Sequence, residues 1–218
     1  MELKDFLPVW NKLEENQQRI LSESAFERKY LKGDILHNGN YECQGLFCVR
    51  SGQIRAFIVS SEGREITLYR LFERDICLFS ASCILNSIQF SVIISAEKDS
   101  EITVIPSDVY KEIMKTSAPL ANYTNEILAS RFSEVMWLID QIMWKSFDKR
   151  LAAFLKEESV IENSLSLRIT HETIGNHLGS PREVVTRMLK YFASEGIVKL
   201  SRGVINIIDP PALDSFLS

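Results

Sequence analysis

Gly179, Ser180 and Pro181 stand in a row between two stretches whose apolar residues recur at helical spacing, and no other feature limits the possible folds as much. Upstream, HETIGNHL (171–178) sets Ile174 and Leu178 four apart, with Thr170 placed to cap the first turn. Downstream, Pro181 takes a first helical position, where its missing N–H costs nothing, and Glu183 follows Ser180 at the spacing of a capping box. Val184, Val185, Met188, Leu189 and Phe192 then make one apolar stripe that ends at Gly196. GIVKLSRGVINIID reads as a hairpin turning at Ser201 to Gly203. With a helix opening at SFDKRLAAFL (146–155) and a strand-like bridge at SLSLRIT, the pattern predicts a winged helix-turn-helix over 146–218.

In a helix-turn-helix the start of the second helix faces base edges, so polar side chains are wanted there and apolar ones further on. Arg182, Glu183, Thr186 and Arg187 meet that demand and are the expected base readers. Arginine can pair with guanine through two hydrogen bonds, and glutamate can accept from cytosine. The rival reading is a capping box of Ser180 and Glu183 beside solvated arginines. Arg168, Thr170, His171, Ser180, Lys190, Lys199 and Arg202 are expected contacts to phosphate, which position without specifying sequence. His177 is read as structural. A net charge of −4 and a pI of about 5.5 exclude a protein that coats nucleic acid by bulk charge, so contact with DNA must come from a local patch.

The first half has a different rhythm. After an expected helix ending near Ser24, residues 29–106 are short runs rich in Ile, Val, Phe and Tyr. The expected strands are GLFCVR, QIRAFIV, REITLYRL, FSVIISAE and EITVIP, with turns at KGD, NGN, SGQ, SSEGRE and KDSE. Such spacing predicts an antiparallel jelly-roll-like domain. Beyond Pro106 only Pro119 interrupts a long helical stretch up to about Lys145. There Leu128, Phe132, Val135, Ile139 and Ile142 alternate spacings of four and three, the seam of a short coiled coil about 20 Å long. A helix packed only on its own β domain is the rival reading; Trp137 and Trp144 add a second apolar stripe, so one stripe can face the chain's own domain and the other a partner subunit. The expected class is α+β: a β domain over 1–110, a dimerisation helix over 111–145 and the winged domain over 146–218, working as a homodimer.

ITHETIGNHLGSPREVVTRMLKYFASEGIV, with its hairpin and the preceding FDKRLAAFL, resembles the Crp-Fnr superfamily of bacterial transcription regulators. KGDILHNGN and LFCVRSGQIRAFIVSSEGREITLYRL carry the likeness into the β region. The resemblance implies a cyclic-nucleotide-binding-like β-roll that senses an effector, a dimerisation helix, and recognition of double-stranded DNA through Arg182, Glu183 and Arg187. It also admits RNA polymerase as a partner. Pro181 departs from the commoner family serine.

The effector site departs further. Cyclic-nucleotide-binding members carry a Gly-Glu pair and then Arg-Ser, a carboxylate for ribose and a guanidinium for the cyclic phosphate. Here the stretch is RDICLFSASCILNSIQFSVII; Ser91 can stand at the serine, Phe90 takes the arginine place, and no glutamate lies near Leu78 and Phe79. Cyclic AMP is therefore not expected. The cysteine cluster of iron-sulfur members is absent, since no cysteine precedes Cys43, and the cofactor stays unknown. Cys77, Leu78, Phe79, Ser80, Ser82, Cys83, Phe90 and Ser91 are the effector-pocket candidates. Cys43, Cys48, Cys77 and Cys83 are read either as core residues or as a redox or zinc-based sensor, the spacings being wide for zinc.

Other classes fit less well. A metal-dependent cupin-like enzyme needs several histidines in the β region, which holds only His37, and no Gly-rich phosphate loop or nucleophile elbow occurs. No catalytic or metal-binding residues are therefore assigned. A sensor whose winged domain binds a protein remains the alternative. The amino terminus lacks the features of a signal peptide and no run of about 18 apolar residues is present, so a cytoplasmic protein with no membrane partner is expected.

Overall fold

The computed structural model of the chain describes residues 2–38, 45–78 and 91–217. They form two compact units, Met1–Ile58 with Leu68–Met136, and Val59–Thr67 with Trp137–Ser218.

In the first unit, two short 3₁₀ turns lead into α1 (Glu15–Ser24), which ends where the sequence expects it. Six strands follow: β1 (Phe26–Tyr30), β2 (Ile35–His37), β3 (Leu46–Val59), β4 (Glu65–Leu71), β5 (Ile76–Cys77) and β6 (Ile93–Ile105). They join in the order β1-β6-β3-β4, with β2 also on β6 and β5 also on β3. SGQ and KDSE, expected as turns between separate strands, lie inside β3 and β6 instead. The two long strands pair through them with register shifts between Val49 and Ile54. Gly52 at φ +89° carries the irregularity, and a Cβ there would come within 2.3 Å of the Asp99 carbonyl. The buried Ser100 hydroxyl accepts the Gln53 N–H at 3.1 Å and so replaces a missing ladder bond.

That bulge also changes which side chains point inward. Before it, Phe47 and Val49 face the same core that Ile54 and Ala56 face after it, so odd positions give way to even ones. Val49 pairs with Ile102 and Ile54 with Ala96, so β3 spends one residue fewer than β6 across the irregularity. On the opposite face Leu46 and Cys48 meet Leu3, Phe6, Leu7 and Leu21 of the amino-terminal segment, and Tyr110, Ile113 and Leu120 of the helices that follow the sheet.

Those helices are α2 (Ser107–Thr116) and α3 (Ala118–Trp144). The helical stretch is broken at Ser117, whose backbone is extended and whose hydroxyl accepts the Leu120 N–H at 3.4 Å. Pro119 then sits in the first turn of α3, where proline does no harm.

The second unit contains α4 (Phe147–Ile161), β7 (Ser166–Leu167), α5 (His171–Leu178), α6 (Arg182–Ser194), β8 (Val198–Ser201), β9 (Val204–Ile207) and α7 (Pro210–Ser215). The strands make a small sheet in the order β7-β9-β8. Leu151, Leu155, Ile174, Val185, Leu189, Phe192 and Ile205 bury the apolar faces of all these layers in one core. The closing helix α7 has no counterpart in the sequence reading; Asp209 caps it by accepting the Ala212 N–H at 2.9 Å.

Candidate nucleic-acid interface

Thr170 begins α5 as expected, its hydroxyl accepting the Thr173 N–H at 3.0 Å. The helix ends on Gly179, whose left-handed φ of +65° lets the chain reverse. Ser180 is not the cap of α6. Its N–H turns back to the Gly175 carbonyl at 2.9 Å and closes α5, while the Pro181 carbonyl starts α6 by accepting from Val184 and Val185 at 3.0 and 3.3 Å. No side chain caps α6, so the expected Ser180–Glu183 box does not form and the Glu183 carboxylate is not consumed by capping. The turn is tight enough that a Cβ on Gly175 would lie 2.5 Å from the Ser180 carbonyl oxygen.

Helix α6 is divided along its length. Val185, Leu189 and Phe192 are buried, whereas Arg182, Glu183, Arg187 and Lys190 are exposed and Thr186 is half-buried. These five polar residues line one open groove of about 350 Å³. Thr186 is also tied inward: its hydroxyl lies 2.8 Å from His171 Nδ1 and donates to the Arg182 carbonyl at 2.8 Å. Burial, and then the charge of Arg182, hold the His171 pKa below its ordinary value. Arg168, Thr170, Lys199 and Arg202 are exposed, and Ser180 is half-buried.

His177 is buried and packs its ring against Phe154 at 5.2 Å, as a structural histidine would. Sequence reading missed Arg150, which reaches from α4 to the end of α5. Its guanidinium donates to the Leu178 carbonyl at 3.1 Å, and burial lowers its pKa. A cation near a helix carboxy terminus is the usual complement to unpaired carbonyls, but only the fold shows that α4 supplies it.

Of the effector-pocket candidates, Phe79, Ser80, Ser82, Cys83 and Phe90 lie outside the described residues, as does Cys43. Cys77 and Leu78 are buried in the two opposite cores of the sheet, and Ser91 is exposed. Burial pushes the Cys48 thiol up to about 12, with a further push from Cys77. Unforeseen in the sequence is a shielded polar cluster near the bulge. There Glu97 Oε2 accepts from Gln53 Nε2 at 2.7 Å and pairs with Arg70 Nε at 3.2 Å. Arg131 of α3 stacks over the Tyr69 ring at 4.7 Å. Among the described residues, no three His, Cys, Asp or Glu side chains come together as a metal site.

Along α3, Leu128 packs partly into its own domain's core. Phe132, Ile139 and Ile142 are 67%, 41% and 43% exposed, and Val135 is half-buried. Trp137 and Trp144 are exposed too.

A β-roll followed by a long helix and a winged helix-turn-helix defines a class, the effector-binding, DNA-binding regulators. The comparisons place the chain within it. Residues 149–216 match the Crp-like helix-turn-helix domain and residues 27–117 the cyclic nucleotide-binding domain. The chain is similar to the crystal structure of a transcriptional regulator assigned to the Crp/Fnr family from Eubacterium rectale, with 59% identity, a TM-score of 0.95, and 98% of this chain and 99% of that one covered. It is 28% identical over 199 residues to the cyclic AMP receptor protein of Thermus thermophilus, covering 89% of each chain. It is 27% identical over 204 residues to the fumarate and nitrate reduction regulatory protein of Yersinia pestis, covering 88% of this chain and 79% of that one. This chain belongs to the Crp-Fnr family and is a DNA-binding transcription regulator with an effector-binding-type domain. Among the described residues, no helix is long and apolar enough to cross a membrane.

Proposed function

We propose that the protein acts in the cytoplasm as a homodimer that places two copies of α6 in successive major grooves of a palindromic DNA site, under the control of an effector other than cyclic AMP. The observation that carries the reading is the row of Arg182, Glu183, Arg187 and Lys190, exposed around the half-buried Thr186, above an apolar buried face. Arg182, Glu183 and Arg187 read base edges, and Thr186 offers its methyl group because its hydroxyl is engaged within the fold. Arg168, Thr170, Ser180, Lys190, Lys199 and Arg202 hold the phosphates, joined by His171 through its backbone N–H at the start of α5. Their local positive charge offsets the acidity of the chain as a whole.

Phe132, Val135, Ile139 and Ile142, joined by Leu128, form the seam with the second copy, and half-sites then lie about 10 base pairs apart or a multiple of that. The working division is 1–110 for sensing, 111–145 for dimerisation and 146–218 for DNA. An effector in the β-roll shifts the population between docking-competent and incompetent arrangements through its different affinity for the two. The output is a change in transcription, with RNA polymerase admitted as a partner, and not catalysis. The test is selection of sites from a random DNA pool by the purified full chain, at fixed salt, with and without reductant. Enrichment of a palindrome supports the reading; no enriched sequence under either condition, and none with added candidate effectors, counts against it.

A further inference from the structure

A groove of about 340 Å³ opens on the first unit between the amino-terminal segment and the edge of the sheet, on the face that carries Cys48. Its polar end is built by neighbouring strands: Glu27 of β1 pairs in register with Thr103 of β6, and Thr103 with Cys48 of β3, so these side chains share one face. Thr103 is 6% exposed, and its hydroxyl is buried without a hydrogen-bond partner among the described residues. A buried hydroxyl in that state is rare, because the lost hydration is not replaced. Arg50 lines the same end, largely shielded, with its Nη1 donating to Glu27. A guanidinium carries five N–H donors, so the one spent on Glu27 leaves others for a ligand. Leu3, Trp10 and Phe26 supply apolar walls. At the mouth Glu2 and Lys4 pair at 2.7 Å and cancel each other's charge.

We infer that this groove is a second small-molecule site and that its ligand is a zwitterionic α-amino acid with an apolar side chain. One cation, one anion and one unspent hydroxyl stand together at one end, and the other walls are apolar. A simple carboxylic acid would leave Glu27 facing a like charge, and a simple amine would leave Arg50 and Thr103 unused. An α-amino acid satisfies all three: its carboxylate accepts from Arg50 and Thr103, its ammonium meets Glu27, and its side chain lies against Trp10, Leu3 and Phe26. Burying part of an aromatic or branched side chain there provides the apolar share of the affinity. The groove shares no lining residue with the effector-pocket candidates or with α6, so the inference stands whether or not those assignments hold.

Calorimetric titration of the full chain with L-phenylalanine tests the inference, with 3-phenylpropionate and phenethylamine as probes that each lack one charge. Saturable binding of L-phenylalanine, weakened at least about tenfold by Thr103→Val and by removal of either charge from the ligand, is the expected result. Thr103→Val replaces an unsatisfied hydroxyl by a methyl group of the same shape, so its unfolding temperature should not fall, and it keeps the test valid if Arg50→Gln fails to fold. Absence of saturable binding, equal binding of either single-charge probe, or unchanged affinity in folded Thr103→Val overturns the assignment.

Discussion

The Thr186 hydroxyl of α6 lies 2.8 Å from Nδ1 of His171, the first residue of α5. Because that hydroxyl donates its one proton to the Arg182 carbonyl, the imidazole must be the donor, which fixes its neutral form with the proton on Nδ1. Two helices of the DNA-binding domain are thus fastened beside the exposed polar row of α6. The His171 pKa is lowered, by burial first and by Arg182 second. A histidine with a depressed folded pKa contributes stability that is complete above its unfolded value of 6.5 and is lost as pH falls through the folded value. Urea unfolding of the full chain should therefore show stability declining as pH drops from about 7.5 to about 5.5. His171→Gln should flatten that decline, and His37, whose pKa burial also lowers, should contribute to the part that persists.

Arg187 and Lys190 share the exposed face of α6 but should fail differently. Arg187→Ala should cost about 1 to 3 kcal/mol on the selected site and relax the base preference at one position of each half-site. Lys190→Ala should weaken all sequences alike and reduce the salt slope by about one. Fluorescence anisotropy on matched and single-mismatch duplexes over a salt series separates the two.

Gly175 is a steric requirement. A methyl group there would stand 2.5 Å from a backbone oxygen, which cannot swing away as a side-chain tip can. Gly175→Ala should destabilise the domain by about 1 to 3 kcal/mol and loosen DNA binding without altering preference. Thermal unfolding of full-length variants checks the first part and site selection the second.

Cys48 should behave as a core residue. With its pKa pushed up to about 12, it holds almost no thiolate at neutral pH. Iodoacetamide labelling read by mass spectrometry should leave Cys48 unmodified in the native chain and modify it in denaturant. Native labelling of Cys48 would reopen its role as a sensor.

Ile139 is 41% exposed and lies in the middle of the proposed dimer seam. Ile139→Glu should weaken self-association by more than about 2 kcal/mol, because two carboxylates would be buried face to face. Sedimentation velocity should then show monomer, with the secondary structure retained.

The carboxy-terminal half was the more legible in sequence, since its signals are local. Thr170 does cap α5, Gly179 and Gly196 do reverse the chain, and the wing turns through Arg202 and Gly203 between β8 and β9. Ser180 misled because serine before proline carries the mark of a cap, whereas its N–H is drawn to a carbonyl five residues back. The β domain was less legible. SGQ contains a glycine and KDSE is polar, so each resembles a turn. Their partnership across β3 and β6 is a long-range fact that neither stretch states alone. The same limit hid the cluster of Gln53, Arg70 and Glu97 and the reach of Arg150, all made by residues far apart in the chain.

The irregularity at Gly52 has a consequence for how such a sensor can change length. Because β3 crosses the irregularity with one residue fewer than β6 and changes from odd to even residues facing inward, regular alternation from Val49 to Ile54 would turn Ile54 and Ala56 to the opposite face and expose half the strand's apolar side chains. In the regular arms on either side of the kink, insertions and deletions are thus tolerable in pairs and ruinous singly, a counting rule that any recombined or redesigned version of the domain must obey.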